Sequence, residues 1–429
     1  MTQLVGQRVR NRERGAVMPI FAALVVGGLT FGMLALAVDV GNVWHERREL
    51  QNAADATALS LARECAEAGA NAALCVSANS EVASLLNPNV GSGAAQFAAE
   101  TADAYAPYGA CERLDMGPLP ECLELSDAAF GDLSECPPLP DWLTGAGAGI
   151  DYVETYARTQ SGEADSTVLP GFFSGLVLGG GSDMRVIACA RAAWGPPGPR
   201  SDSVPIVISA CEWQDQTSGG TNYVSEPPAG VPGYGGAGQP AWPTGREVEI
   251  ILHNPNDEAS DCDWNGKDTA GGFGFVQEND CSAEVSDDGW VPIDTGNDVP
   301  QDCQDFVDGL AGTVISIPVF NCLLAVHPTD PDPSGPAPTE PEGICDPTRP
   351  DMAGNNGWYH IDGWAKFYVS GYSLSGHSEP SVMPGGLTSC TTAGARCLYG
   401  WFLQGHLDSD AIDPNGGSDF GTYTILPAG

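Results

Sequence analysis

A chain of 429 residues with 17 Lys+Arg against 56 Asp+Glu carries a formal net charge of −39. A field of that sign repels phosphate polymers, which excludes nucleic acid as a partner class, and it attracts cations and basic surfaces. The imbalance is uneven: Arg8, Arg10, Arg12 and Arg14 crowd the first fourteen positions, whereas residues 51–429 hold 52 acidic side chains against 11 basic ones.

Residues 17–38 contain no charged side chain. As a helix this stretch is about 33 Å long, enough to cross a hydrocarbon core of about 30 Å. No second run of this kind occurs, so a single crossing is expected. The arginines before it and the acidic surplus after it predict a cytoplasmic tail (1–16), a transmembrane helix (17–38) and an exported remainder. Ala35-Leu36-Ala37 also fits a small-x-small cleavage site. The apolar run, however, exceeds the roughly 7–15 residues of a signal-peptide core, and the helical pattern continues past the cut, which predicts retention.

Val43, Leu50, Ala54, Ala58 and Leu61 then recur at three-, four- and seven-residue spacing, which predicts a stem helix over residues 39–65. Its narrow, alanine-rich stripe permits close approach to another helix or to a sheet, with packing on the chain's own exported part, as in a pilin stem, expected over packing on another molecule. Residues 66–199 read as a small α+β module, with helical stretches at 94–105 and 151–159 and a strand at 184–194. A Pro/Gly run at 195–199 closes it.

Residues 200–429 read as β-rich, with strands at 204–209, 247–252, 272–276, 313–320, 358–372 and 397–402 between Gly, Pro, Asn and Asp clusters. Two Pro/Gly-rich loops interrupt them, at 226–245 and 328–350. The fold class expected is therefore α+β: a transmembrane helix continuing into a stem, a small mixed module, then a β-rich domain braced by disulfides.

The bracing rests on fourteen cysteines, Cys65, Cys75, Cys111, Cys122, Cys136, Cys189, Cys211, Cys262, Cys281, Cys303, Cys322, Cys345, Cys390 and Cys397, all beyond the membrane run. An even count in an exported chain reads as disulfides. No Cys-x-x-Cys occurs, which removes zinc ribbons and thioredoxin-like chemistry. Spacing leaves the pairing open, with Cys65/Cys75 and Cys390/Cys397 as short local closures.

Candidate chemical sites are sparse. Asp261-x-Asp263-x-Asn265-Gly266 matches the first half of a calcium loop, where alternating oxygens converge on an ion, but position twelve is Gly272 instead of a bidentate glutamate. An Asx-stabilised turn is the plainer reading, and calcium is the only cofactor considered. Asp413-x-Asn415-Gly416 is a weaker match. His45-Glu46-Arg47-Arg48-Glu49 lacks the second histidine of a zinc-peptidase helix, and Gly233-x-Gly235-x-x-Gly238 lies among prolines and reads as a loop. With no Gly-x-Ser-x-Gly elbow either, no enzymatic activity is expected. Trp358, Tyr359, Trp364, Phe367, Tyr368 and Tyr372 share one strand-like stretch. Strict alternation puts Tyr359 and Ile361 on one face and Trp358, His360 and Trp364 on the other. An exposed Trp364 would mark a recognition surface for glycan or peptide, and a buried one a core.

Three short strings carry a family resemblance. Arg14-Gly15-Ala16-Val17, Ala35-Leu36-Ala37-Val38-Asp39-Val40-Gly41 and Arg47-Arg48-Glu49-Leu50-Gln51-Asn52-Ala53-Ala54-Asp55-Ala56 follow in order within about fifty residues. Together they resemble the N-terminal region of TadE/TadG-like Flp pilus assembly proteins. Pro205–Glu212, Gly271–Phe275 and Tyr359–Ala365 more loosely resemble ectodomains of actinobacterial TadG-related proteins.

The resemblance implies a bitopic, extracytoplasmic envelope protein of the tight-adherence system, partnered by the membrane and by other Tad/Flp pilus assembly proteins or pilin. Gly15, Asp39, Gly41, Asn52 and Asp55 are its candidate membrane and assembly residues. Gly15 lacks the glutamate that TadE-type prepilin-peptidase substrates carry five residues on; Ile20 stands there. Nor does Asp132-Leu133-Ser134-Glu135-Cys136 complete the metal motif of a von Willebrand A domain. In physical terms Asp39 ends the apolar run and is expected to face water, while Gly41 permits close packing where the helix leaves the bilayer. The function expected is a membrane-anchored, non-enzymatic component of Flp/Tad pilus assembly or secretion. The alternative is an exported adhesin or ligand-binding ectodomain for glycan, surface or calcium.

Overall fold

A computed structural model of the chain describes residues 17–68, 108–111, 138–144, 150–158, 187–198, 204–225, 233–243, 245–253, 278–279, 281–283, 285, 289–292, 299, 303–324, 358–413 and 418–429. The long helix α1 (Val17–Ala68) comes first, then β1 (Tyr108–Cys111), the short helix α2 (Asp141–Thr144), β2 (Asp151–Arg158), β3 (Ile187–Gly195) and β4 (Ile208–Ser209). Next are α3 (Ala210–Thr217), β5 (Val224–Ser225), β6 (Val248–His253), β7 (Glu278–Asn279), β8 (Ser282–Ala283), β9 (Trp290–Pro292) and α4 (Gln304–Asp308). The C-terminal part holds β10 (Thr313–Leu324), β11 (Trp358–Leu374), β12 (His377–Glu379), β13 (Arg396–His406) and β14 (Thr422–Pro427).

All of these strands but β7 and β8 join one sheet, with a main path β1-β2-β3-β14-β13-β11-β10-β4; β5 and β6 flank β13, and β9 and β12 flank β11. β14 is the splice. It runs antiparallel to β3, pairing Thr424 with Gly195 and Pro427 with Ala192, and parallel to β13 through Gly405 and His406. The β-rich half grows from the longest antiparallel pairings, β10 with β11 and β11 with β13. Ile315, Ile317 and Val319 alternate inward from β10 to meet Ala365, Phe367 and Val369 of β11. This is the period-two burial expected of β-branched strands that cover one core.

Two expectations are corrected. Residues 151–159 were expected to be helical; Asp151–Arg158 is instead a strand, paired with β1 on one side and β3 on the other. Tyr, Val and Thr suit a pleat, and between α1 and α2 the segment needs two buried faces: Val153 packs towards α1, and Tyr152 packs with Leu143 and Ile150. β14, which had no counterpart among the expected strands, is central. The strands expected at 184–194, 247–252, 313–320, 358–372 and 397–402 are present with shifted ends, that at 204–209 shrinks to the two residues of β4, and that at 272–276 lies outside the described residues.

Disulfides brace the β-rich half. Cys281–Cys303 and Cys390–Cys397 close with Cα separations of 4.9 and 5.9 Å, the second being the local closure expected from spacing. Cys65, Cys189, Cys211 and Cys322 are also disulfide-bonded.

On the sheet face away from α1, Glu154 and Arg191 stand directly opposite each other on β2 and β3. Arg191 Nη2 donates to Glu154 Oε1 at 3.0 Å, with both side chains almost wholly buried, and Arg191 Nη1 donates to the Pro138 carbonyl. Removing one member of a buried pair strands the other charge. Arg191→Met is therefore expected to cost about 3–5 kcal/mol of stability, read by denaturant unfolding of the purified protein in detergent.

Burial also lifts the Asp151 carboxyl from 3.8 to about 6. The folded state holds this proton more tightly than the unfolded chain, so the contribution is full below about pH 4 and is lost as pH rises through about 6. Asp151→Asn should accordingly raise stability at pH 7 by about 1–2 kcal/mol, allowing for solvent screening, and leave it unchanged near pH 3.5. Melting temperatures of the two proteins at both pH values check this.

Candidate functional site

The residues singled out for assembly lie on α1, which divides into two parts with different surroundings. From Met18 to Val38 the large apolar side chains that the structure describes are exposed: Phe31 is 76% exposed and Leu36 63%. Among the described residues α1 is the one helix long and apolar enough to cross a membrane. From Leu50 onward the same helix is half buried. Leu50, Ala53, Ala54, Ala58, Leu61 and Ala62 pack against Val153, Ala188, Ala190, Ala192 and Trp194. The stripe thus packs on the chain's own sheet, as its spacing predicts.

Alanine decides this geometry because its single methyl lets the helix backbone approach the sheet closely enough for polar contacts across the joint. Thr155 Oγ1 donates to the Ala54 carbonyl at 3.0 Å, reaching the helix backbone itself. Gln51 Nε2 donates both to the Cys189 carbonyl on β3 at 2.8 Å and to Asp55 Oδ1 one turn on at 2.9 Å. At the far end Tyr423 Oη of β14 donates to Glu67 Oε1, which also receives Arg63 Nε. Three strands therefore hold the helix.

The sequence-predicted residues separate on this frame. Asp55 is exposed and orients Gln51, and Asn52 is exposed beside it. Asp39 is only 4% exposed, which corrects the expectation that it faces water. It projects to the side of α1 that later carries Val43 and Leu50, so the protein already covers the helix there. Gly41 has open space where a Cβ would stand, so no contact among the described residues requires glycine. Gly15 and the calcium-loop residues Asp261, Asp263 and Asn265 lie outside the described residues, as do Cys75, Cys122, Cys136, Cys262 and Cys345.

The aromatic stretch is core. Trp364 is 2% exposed and donates its indole N–H to the Gly198 carbonyl, and Tyr359, Phe367 and Tyr372 are equally buried. Burial raises the Tyr359 phenol and, with Tyr234 nearby, that of Tyr368. Strict alternation also fails. Val319 faces Gly363 and Phe320 faces Ile361, which leaves Asp362 as an extra residue and turns Trp364 to the face of Tyr359 and Ile361. Sequence reasoning missed an aromatic group in which Tyr234 and Trp242, from the glycine-rich loop, pack on the stacked pair Tyr368 and Trp401. The pairing of two aromatics with a Pro/Gly loop was its only signal.

Two glutamates among the described residues are held in structural hydrogen bonds. Glu247 accepts from Ser370 Oγ, Ser381 Oγ and the Leu387 amide, and Glu249 from the Thr391 amide and hydroxyl, which ties residues 381–391 to β6. Glu249, Cys390 and Cys397 converge closely enough to suggest a metal, but the two sulfurs are bonded to each other and supply no thiolate. The arrangement positions a helix on a sheet.

Residues 15–64 match the putative Flp pilus-assembly TadE/G-like family. The matched span covers the bare apolar part of α1 and all but the last turn of its buried part, so the Tad-like segment includes both the candidate membrane span and the joint. Comparison with curated proteins and with solved structures finds no match.

The joint makes a steric prediction. Ala54→Leu inserts three carbons where no space exists between α1 and β3, and should destabilise the fold by about 1–3 kcal/mol, whereas exposed Ala56→Leu should be near neutral. Parallel thermal melts of the two variants measure the difference.

Proposed function

We propose that this protein is a single-pass, non-enzymatic component of Flp/Tad pilus assembly or secretion, of the TadG-related type, anchored with its N-terminus in the cytoplasm and its acidic bulk outside. One observation carries the reading. The Tad-like segment is a continuous helix whose first half exposes apolar side chains along a membrane-length stretch and whose second half is buried on the protein's own sheet. A rod shared between bilayer and ectodomain transmits position from one to the other. Its partners are other Tad components or pilin, and its strongly acidic surface suits a basic contact face. The burial of Trp364 counts against the aromatic form of the adhesin alternative.

A deletion strain tests the reading: surface pili, counted by microscopy and in sheared fractions, should fall sharply and return on complementation. Unchanged piliation would sink it. Mass spectrometry of the mature N-terminus in membrane and sheared-pilus fractions separates an anchored assembly factor from a pilus subunit.

A further inference from the structure

Trp44, Arg47 and Arg48 stand at i, i+3 and i+4 on α1 and so share one face of the helix. Trp44 and Arg48 turn away from the line of Leu50 and Ala54 that packs on the sheet, whereas Arg47 stands on that line three and seven residues before them and is exposed there. Trp44 is 67% exposed, and both arginines are exposed. Among the described residues neither guanidinium has an ion-pair or hydrogen-bond partner. Of the other described basic side chains in this chain of net charge −39, Arg63 pairs with Glu67, Arg191 with Glu154 and His45 reaches Glu49, while exposed Arg246 likewise shows no ion pair. Two free, adjacent cations on so acidic a protein call for an anion from outside it.

Their position supplies one. The uncharged stretch ends at Val38, so Trp44 lies about 9 Å and Arg48 about 15 Å further along the axis. Helical side chains tilt towards the helix N-terminus, here back towards the apolar stretch, which brings the guanidinium groups nearer to its end. Headgroup layers extend roughly 5–8 Å beyond the hydrocarbon on each side, within reach of a tilted, extended arginine. Tryptophan partitions to this layer, and guanidinium binds phosphate in a bidentate fork. On the sheet-facing side of the helix Asp39 is already covered by protein, so the ectodomain begins where the apolar surface stops.

We infer that Trp44, Arg47 and Arg48 form a headgroup clamp that binds phosphates of anionic phospholipids in the outer leaflet. The clamp sets the depth of α1 and holds close to the membrane an ectodomain whose charge would otherwise push it away. It rests on the reading of α1 as a membrane anchor.

The full chain, reconstituted into vesicles of phosphatidylcholine alone or mixed with phosphatidylglycerol, tests this. Lipids brominated at known acyl depths quench nearby tryptophan, and Trp44→Phe subtracts the emission of the nine others. The expected result is quenching of Trp44 strongest from the bromines nearest the headgroup, and stronger from brominated phosphatidylglycerol than from the same fraction of brominated phosphatidylcholine. Arg47→Ala/Arg48→Ala should abolish that lipid preference while the protein still floats with the vesicles. Unquenched Trp44, or equal quenching by the two lipids, in protein that floats would overturn the clamp alone. A chain that fails to float would overturn the anchor as well.

Discussion

Close contact between the alanine face of α1 and the sheet is the constraint on which the rest of the molecule depends. Each buried alanine methyl contributes only on the order of 0.8 kcal/mol by area, so the stripe is weak per residue and depends on exact approach. Small side chains give that approach, and it brings backbone and side-chain polar groups of helix and strand within hydrogen-bond range. Thr155 reaches the Ala54 carbonyl and Gln51 reaches that of Cys189 because nothing larger than a methyl stands between them. Larger apolar residues would bury more area but lose both bonds.

The sheet is built to receive the helix. Its α1-facing surface is itself mostly alanine, from Ala188, Ala190 and Ala192, while the opposite surface carries the buried Glu154–Arg191 pair. β14 couples this receiving surface to the β-rich half, so the helix, the pair and the distant core share one hydrogen-bonded network. Disulfides and carboxylate latches then secure the connections at its edge. Glu247 and Glu249 show how an acidic chain can use its charge internally, accepting hydrogen bonds that fix a loop.

Read as an anchor, a helix bare along one half and docked along the other is a single rod in two solvents. Apolar exposure along the first half is favourable only in lipid, and the docked half transfers any displacement of the anchor to the sheet without a hinge among the described residues. That mechanical continuity suits a part that positions other parts. It places the demand for specificity on surfaces, in keeping with the structural use of the acidic groups and aromatic side chains described above.

Features set by neighbours along the chain were legible in the sequence. The uncharged run, the alanine stripe, the Cys390–Cys397 closure and the positions of the long strands, though not their ends, follow from short-range periodicity or spacing, and the Tad-like strings lie in the same stretch as the first two. The stripe indicated close packing but not its partner, since a narrow small-residue face suits another helix as well as a sheet. What tertiary structure alone decided has partners far away in sequence. Residues 151–158 are a strand because β1 and β3 offer ladders on both sides, β14 is central because β3 lies more than two hundred residues upstream, and Trp364 is core because one extra residue at Asp362 reverses its face. Asp39 is buried although its place at the end of an apolar run marks it locally as a water-facing residue.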